Sequence, residues 1–422
     1  MKADFSARAA AADLLVLVLD EGMTLDEAFA RSDAYDGLAG RDRAFAAAIA
    51  RATLRHLGRI DAALAQFLVK PLPDTAHRGR AILRAGAAQL LFMETPPHAA
   101  VSESVDAANA AKDARGFAKL INAVLRRVAT MEAPPADAAD DLPPWLRARW
   151  AAAYGAEAVA AIAAALGAEP PLDITAKAQA AEWAERLGGV ALPTGSIRLT
   201  GAAPVTSLPG YEEGAWWVQD AAAALPTKLL GDVSGLRVLD LCAAPGGKTL
   251  QLAAAGAQVT ALDISEPRLG RLRRHLERTG LKAEIVCADA LTWTPSAPFD
   301  AVFLDAPCSA TGTLRRHPEA AWLRTPAHVA GFAKTQAALL EAAGRFVRPG
   351  GRLVYAVCSM EPEEGPSVVA KALAQGGFTR APAPDLPAEL LTAVGELRTL
   401  PSHWADQGGL DGFYAAGLIR AA

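Results

Sequence analysis

Two cysteines close two hydrophobic runs, Ala301-Val-Phe-Leu-Asp-Ala-Pro-Cys308 and Gly351-Arg-Leu-Val-Tyr-Ala-Val-Cys358, downstream of a glycine-bearing turn, Asp240-Leu-Cys-Ala-Ala-Pro-Gly-Gly-Lys-Thr249. A cysteine at a strand end is ordinarily a small buried hydrophobe, and Cys242 and Cys287 read that way. Cys308 departs from it because Asp305 precedes it on a proline-fixed, irregular segment, and such segments place groups at sites. Cys358 departs because Ser359 and Glu361-Pro-Glu-Glu-Gly365 give an apolar strand a polar exit. A thiol attacks as thiolate, so a cation should stand nearby; Lys248, Arg315 and Arg316 are the candidates. The chemistry indicated is two thiols aimed at a nucleotide-type cofactor site.

The elements that must position these groups follow from the apolar runs. Leu236-Arg-Val-Leu-Asp-Leu241 reads as a buried strand and Leu250 onward as a helix. In an open parallel sheet, ligands bind outside the carboxyl ends of the strands, where glycines admit backbone amides. Val259-Thr-Ala-Leu-Asp263 and Ala283-Glu-Ile-Val-Cys-Ala-Asp289 also end on acids, which suggests a nucleoside pocket, with Asp263 near the spacing that holds a ribose hydroxyl. A rival reading is the phosphate loop G-x-x-x-x-G-K-[ST]. Cys242 stands where its first glycine should be, and Pro245 removes an amide donor, so an ATPase is disfavoured. From 236 onward strands alternate with helices, as in a doubly wound sheet. Gly412-Phe-Tyr-Ala-Ala-Gly-Leu-Ile-Arg420 is expected as an edge strand.

The chain has 422 residues, room for two or three domains. Hydrophobic residues make up 52% and charged ones 21%, with net charge -4, so a nucleic acid would have to meet local basic patches rather than a global field. Four cysteines without a C-x-x-C pair argue against a disulfide scaffold and against zinc. The apolar stretch within Ala12–Asp20 is too short to span a membrane, which makes the cytoplasm the default.

Residues 6 to about 130 carry helical periodicity throughout, a bundle of five to seven helices. Ser6 is a candidate cap, and Thr24-Leu-Asp-Glu27 fits a capping box. Residues 133–144 (Pro134-Pro135, Pro143-Pro144) read as a linker, Trp145 to about Leu166 as one helix, and Leu172–Lys177 and Ser196–Thr200 as strands. The domains expected are 1–132, helical; 145–225, a small α+β unit; and 226–422, Rossmann-like. The helix Arg268-Leu-Gly-Arg-Leu-Arg-Arg-His-Leu-Glu-Arg278 is basic on its polar face, which reads first as a solvated surface.

Together, Asp240–Thr249, Asp305-Ala-Pro-Cys308, Gly312-Thr-Leu-Arg-Arg-His-Pro-Glu319 and Val357-Cys-Ser-Met-Glu-Pro-Glu-Glu364 resemble the RNA cytosine-5 methyltransferases of the Nol1/Nop2/Sun group. The first domain is similar to NusB at Leu83-Arg-Ala-Gly-Ala-Ala-Gln-Leu-Leu-Phe92, His98-Ala-Ala-Val-Ser-Glu-Ser-Val105 and Asn122-Ala-Val-Leu-Arg-Arg127. The resemblance implies a multidomain α plus α/β protein: a NusB-like helical bundle, a small α+β unit and a Rossmann-like methyltransferase domain. It implies S-adenosyl-L-methionine wrapped by Cys242, Ala243, Ala244, Pro245, Gly246, Gly247 and Lys248. Asp263 would then hold the ribose and Asp289 the adenine side, with Arg268 among the cofactor contacts and Asp305 between cofactor and target base. Cys358 matches the nucleophile and Cys308 the cysteine that assists product release.

Carbon 5 of cytosine is too weakly nucleophilic to take a methyl group unaided, so a thiolate first adds to carbon 6, which is covalent catalysis. Asp305 would hydrogen-bond ring nitrogen 3. The loop Arg315-Arg316-His317 is either a solvated turn or a phosphate clamp on RNA. The partner implied is RNA, 16S rRNA or a small-subunit assembly intermediate, met by a monomer without metal or membrane. Methylation of tRNA and a non-catalytic RNA-binding assembly factor are the alternatives. Two departures from the family pattern stand out: Leu172-Asp-Ile-Thr-Ala-Lys177, where relatives carry an Arg-Val-Asn-like RNA contact, and Glu319 where an aspartate is common.

Overall fold

The computed structural model describes residues 6–201, 204–382 and 385–421; the lead-in Met1–Phe5 lies outside them. Alanine and leucine recur at helical spacing in the first part, and the helices pack on those faces. Ala10, Ala11, Leu14, Leu15 and Val18 of α1 (Ala7–Leu19) are fully buried. Ser6 caps α1 by accepting from the Ala9 N–H at 3.2 Å, and Thr24 and Glu27 close the capping box of α2 (Leu25–Arg31). There follow α3 (Asp33–Asp36), α4 (Gly40–Arg55), α5 (Leu57–Ala65), α6 (His77–Leu91), α7 (Pro97–Ala110) and α8 (Ala118–Val128). The bundle expected to hold five to seven helices thus has more, because His56 divides α4 from α5 and α3 is a single turn.

Residues 133–144 are not an open tether. Ala138–Asp141 forms a 3-10 turn, and the buried Asp141 accepts from the Arg59 N–H at 3.1 Å and Arg59 Nε at 2.8 Å. The single helix expected from Trp145 is two, α9 (Pro144–Tyr154) and α10 (Ala156–Gly167), broken at Gly155 with φ of 88°. These helices join the first compact unit, which spans Met1–Ala168 and takes in Leu314–Thr325. The first compact unit thus runs past the expected helical domain, 1–132, and takes in the helices expected to lead the small α+β unit.

The second unit comprises Glu169–Thr313 and Pro326–Ala422. It opens with β1 (Leu172–Ala176), α11 (Ala180–Arg186), β2 (Val190–Ala191), β3 (Ile197–Leu199) and β4 (Trp216–Val218), an antiparallel sheet in the order β2-β3-β1-β4. The segment that departs from the family pattern lies here, and both its charges bond within the chain. Asp173 is buried and accepts two hydrogen bonds of 2.7 Å from Arg198, a bidentate pair, while Lys177 donates to the Thr279 carbonyl at 2.7 Å.

The larger sheet begins with β5 (Arg237–Leu241), α12 (Gly247–Ala254), β6 (Gln258–Asp263), α13 (Glu266–Thr279), β7 (Glu284–Cys287) and β8 (Phe299–Asp305). The chain then passes through Leu314–Thr325, where α14 (Ala320–Leu323) forms. It returns as α15 (Pro326–Phe346), β9 (Val347–Val357), α16 (Pro366–Ala374), β10 (Phe378–Arg380), β11 (Leu397–Thr399) and β12 (Phe413–Arg420). The order is β10-β12-β9-β8-β5-β6-β7, with β11 also on β12. Strands β5 to β9 run parallel, and strand order reverses between β5 and β8, the switch point where such sheets bind ligands.

Two strand readings need correction. Residues Gly412–Arg420 are not an edge: β12 pairs antiparallel with β9 and with β10, and Tyr414, Ala415, Ala416 and Leu418 are fully buried. A run apolar on both faces belongs inside a covered sheet. Cys287 is exposed rather than a buried hydrophobe, because β7 is the edge strand.

Asp240 sits on the central β5, fully buried, and accepts a hydrogen bond from Thr249 Oγ1. Burial dominates, with the Thr249 bond opposing it, and the carboxyl pKa is pushed up to about 7. The folded pKa exceeds the unfolded one, about 3.9. The stability this group contributes is thus full below about pH 4 and is lost as pH rises through about 7. Asp240→Asn removes the titration. The melting temperature of the wild-type chain should fall relative to that of the variant between about pH 4 and 8; a constant gap across a pH series of thermal melts would contradict this.

Candidate active site

The two cysteines meet because β8 and β9 are parallel neighbours ending at one edge of the sheet. Asp305 is in register with Ala356, and the Ala306 N–H adds a bond of 2.9 Å to the Ala356 carbonyl. Pro307 then ends the ladder, and Cys308 turns toward Cys358, their Sγ atoms 3.2 Å apart. The next turn is fixed from below. The Gly312 N–H donates to the Cys358 carbonyl at 3.0 Å, and the Gly412 N–H to the Gly312 carbonyl at 2.7 Å. A Cβ on Gly312 would lie 1.8 Å from the Gly412 oxygen, so only glycine fits.

The electrostatics separate the thiols. Cys308 is held well above the ordinary thiol range, first by its hydrogen bond with Cys358 and then by burial. It therefore keeps its proton and can donate it toward Cys358. The cation in the site is Lys248. Its Nζ donates to Asp305 Oδ2 at 2.7 Å and lies 5.3 Å from the Phe413 ring centre. Burial pulls its pKa down, but Asp305, and more weakly Cys358 and Asp240, outweigh that, and the pKa is raised. Cys358 thus has the Cys308 thiol against it and the Lys248 cation near, an arrangement that suits thiol chemistry.

Cys242 is different. It adopts φ of 60°, a left-handed conformation more usual for glycine, and burial with Asp263 and Asp305 pushes its pKa up to about 12. Its part is to shape the turn. Gly246, at φ of 114°, lies so close to α13 that a Cβ would come within 2.3 Å of Leu272 Cδ1.

The turn from Ala243 to Lys248 is a wall between two cavities. One, of about 500 Å³, is lined by Cys242, Ala244, Pro245, Asp263, Arg268, Asp289, Asp305, Cys308 and Cys358. The other, of about 270 Å³, takes Ala243, Gly246, Gly247 and Lys248 and shares Ala244, Pro245 and Asp305. The larger one fits S-adenosyl-L-methionine by its donor set. Asp263 and Asp289 offer acceptors for hydroxyl and amino groups, and the exposed apolar side chains of Ile264 and Leu291 suit the faces of a purine. Asp263 also accepts from the Ala244 N–H at 3.1 Å and the Ser265 N–H at 2.9 Å. Arg268 donates to the Ala244 carbonyl and lies 3.4 Å from Asp263, bracing the turn as well as lining the cavity.

Asp305, Cys308 and Cys358 are thus brought together with Lys248; of the expected cofactor residues, Cys242, Ala244, Pro245, Asp263, Arg268 and Asp289 line the larger cavity beside them, whereas Ala243, Gly246, Gly247 and Lys248 line the smaller one. The loop Arg315-Arg316-His317, expected as either a solvated turn or a phosphate clamp, has its first arginine buried. Arg315 is 1% exposed and its carbonyl accepts from Arg55 at 2.9 Å, within the first unit. Arg316 is half-buried, and only His317, 3.4 Å from Glu319, is exposed. Two features escaped the sequence reading: the pairing of Lys248 with Asp305, which no spacing reveals, and the engagement of Glu364 by both cysteine-bearing segments. For the latter, the polar run Glu361–Glu364 was the available signal.

Comparison with known proteins agrees with this arrangement. Residues 228–419 match the 16S rRNA methyltransferase RsmB/F family and residues 6–130 the NusB family. Ribosomal RNA small subunit methyltransferase B of Klebsiella pneumoniae subsp. pneumoniae is 35% identical across all of this chain and 99% of its own length. That of Xanthomonas campestris pv. campestris is 37% identical across all of this chain and 98% of its own. Among solved structures, PH0851 superposes with a TM-score of 0.76 at 23% identity over 99% of this chain and 100% of its own, a likeness of fold. A methyltransferase homolog from Pyrococcus horikoshii gives 0.56 at 27% over 65% of this chain and 93% of its own. With two domains in this order and full-length relatives at such identity, the chain belongs to the ribosomal RNA small subunit methyltransferase B family.

Proposed function

We propose that this chain methylates carbon 5 of a cytosine in 16S rRNA through a covalent bond between Cys358 and the base. The observation that carries the reading is the pair of thiols 3.2 Å apart at the end of the cofactor cavity, with Lys248 and Asp305 beside them. Cofactor-independent thiol chemistry would have no use for that placement. S-adenosyl-L-methionine, when bound, supplies an electrophilic methyl group.

The residues of the chain do the rest. The Cys358 thiolate adds to carbon 6, and the electron pair displaced from the 5,6 double bond makes carbon 5 nucleophilic. Lys248 faces the negative charge that develops on the ring, and Asp305, through a shared proton, hydrogen-bonds ring nitrogen 3. After methyl transfer the proton on carbon 5 leaves to Cys308, and the carbon–sulfur bond to Cys358 breaks as the double bond reforms. Cys308 holds its own proton until then and passes it to the departing Cys358 sulfur, 3.2 Å away, as it takes up the one from carbon 5. The target cytosine must be unstacked to enter. The smaller cavity, with Tyr211, His275 and Arg278 in its lining and Asp305 shared, offers its neighbours aromatic and cationic contacts.

Bisulfite sequencing of total RNA from a strain lacking the chain should show one 16S rRNA cytosine that is no longer protected and is protected again on complementation. Protection lost from tRNA instead would overturn the substrate. Cys358→Ala should restore nothing; restored protection would remove the nucleophile from Cys358. Cys308→Ser should accumulate a denaturation-resistant protein–RNA adduct in gel analysis, and the absence of an adduct would remove the release role.

A further inference from the structure

Glu364 is a fully buried carboxylate that the mechanism does not use. Glu364 lies six residues past Cys358, at 0% exposure, between the two segments that carry the thiols. The residue after each cysteine is a serine, and both serine hydroxyls donate to the same oxygen of Glu364, Oε2. Its other oxygen accepts from the Ser309 N–H at 2.9 Å and from Gln336 Nε2 at 3.1 Å. Gln336, on α15, also donates to the Pro307 carbonyl at 2.9 Å, so the residue before Cys308 is held from the same point. The serines themselves lie 3.2 Å apart, and Thr311 Oγ1 accepts from the Met360 N–H at 3.1 Å. Ser309, Thr311, Gln336 and Ser359 are all at 0% exposure.

We infer that Glu364 is a positioning residue, which locks the Cys308 segment to the Cys358 segment so that the two thiols are kept in contact and in fixed roles. A carboxylate taken fully out of water is unfavourable unless every lone pair is satisfied, and here four donors from three residues converge on it. A packing role alone would be met more cheaply by an apolar side chain of the same volume. What an apolar group could not do is accept from both serines at once, and that dual acceptance is what ties residue 309 to residue 359. The catalytic geometry tolerates little slack, since reacting groups must be held to within about 0.5 Å.

The inference rests on the proposed reaction for its meaning, but its first test, thiol labelling, does not need the RNA. In the intact protein, iodoacetamide labelling followed by mass spectrometry should modify Cys358 at least about tenfold faster than Cys308. In Glu364→Gln, which places an amide where two hydroxyls donate, that preference should collapse to within about threefold. On 16S rRNA, kcat should fall about a hundredfold while the KM for S-adenosyl-L-methionine stays within about twofold. Ser309→Ala with Ser359→Ala should reproduce these effects, and it decides the matter if Glu364→Gln does not fold. Adding Glu364→Gln to the double serine variant should then cost much less than it costs in the wild type. Preserved thiol preference and full kcat in these variants, or losses that add, would overturn the role of Glu364. An unmethylated RNA in the wild type would instead overturn the proposed reaction and leave the labelling result standing.

Discussion

Two parallel strands lying side by side and ending together are the constraint on which the site depends. Strand β8 delivers Asp305 and, three residues on, Cys308; β9 delivers Cys358 one residue past its end. Backbone hydrogen bonds set that register, so the two segments that carry the thiols leave the sheet side by side. The neighbouring strand β5 turns at Cys242 and sends Lys248 back along α12 to Asp305. The cofactor cavity and the thiol pair are thus consequences of one sheet edge at one reversal of strand order.

Burial then gives the two thiols different standing. Cys308 is pushed toward the neutral form by its contact with Cys358 and by desolvation, while Lys248 balances negative charge beside Cys358. The same low dielectric acts on Asp240, whose neutral form is favoured, and on Glu364, also raised by burial against four opposing hydrogen bonds. Buried polar groups of this density are stable only when nearly all are satisfied, and the satisfaction comes from residues adjacent to the cysteines.

Much of this was legible in the chain. Apolar runs closing on Asp263, Asp305 and Cys358 gave the parallel strands, and glycines with Pro245 gave the turn, because strand burial and backbone conformation are local properties. The helices capped by Ser6 and Thr24 were legible for the same reason. What was not legible depended on contacts distant in sequence. Leu314–Thr325 looks like a free basic loop, yet Arg55 and Leu54 hold it through the carbonyl of Arg315 and the indole of Trp322. Residues 133–144 look like a tether until Asp141 meets Arg59. Phe413–Arg420 reads as a strand, but its inner place follows from β10, which comes earlier in the chain and pairs beyond it.

The division of labour between the thiols is the central claim, and one measurement reaches it directly. A 16S rRNA fragment carrying 5-fluorocytidine has no proton to lose at carbon 5, so the covalent intermediate cannot be released. Incubation with the wild-type chain and S-adenosyl-L-methionine, followed by proteolysis and mass spectrometry, should place the nucleotide on the peptide containing Cys358, with Cys308 unmodified. Attachment at Cys308, or no covalent product with an RNA that is otherwise methylated, would contradict it.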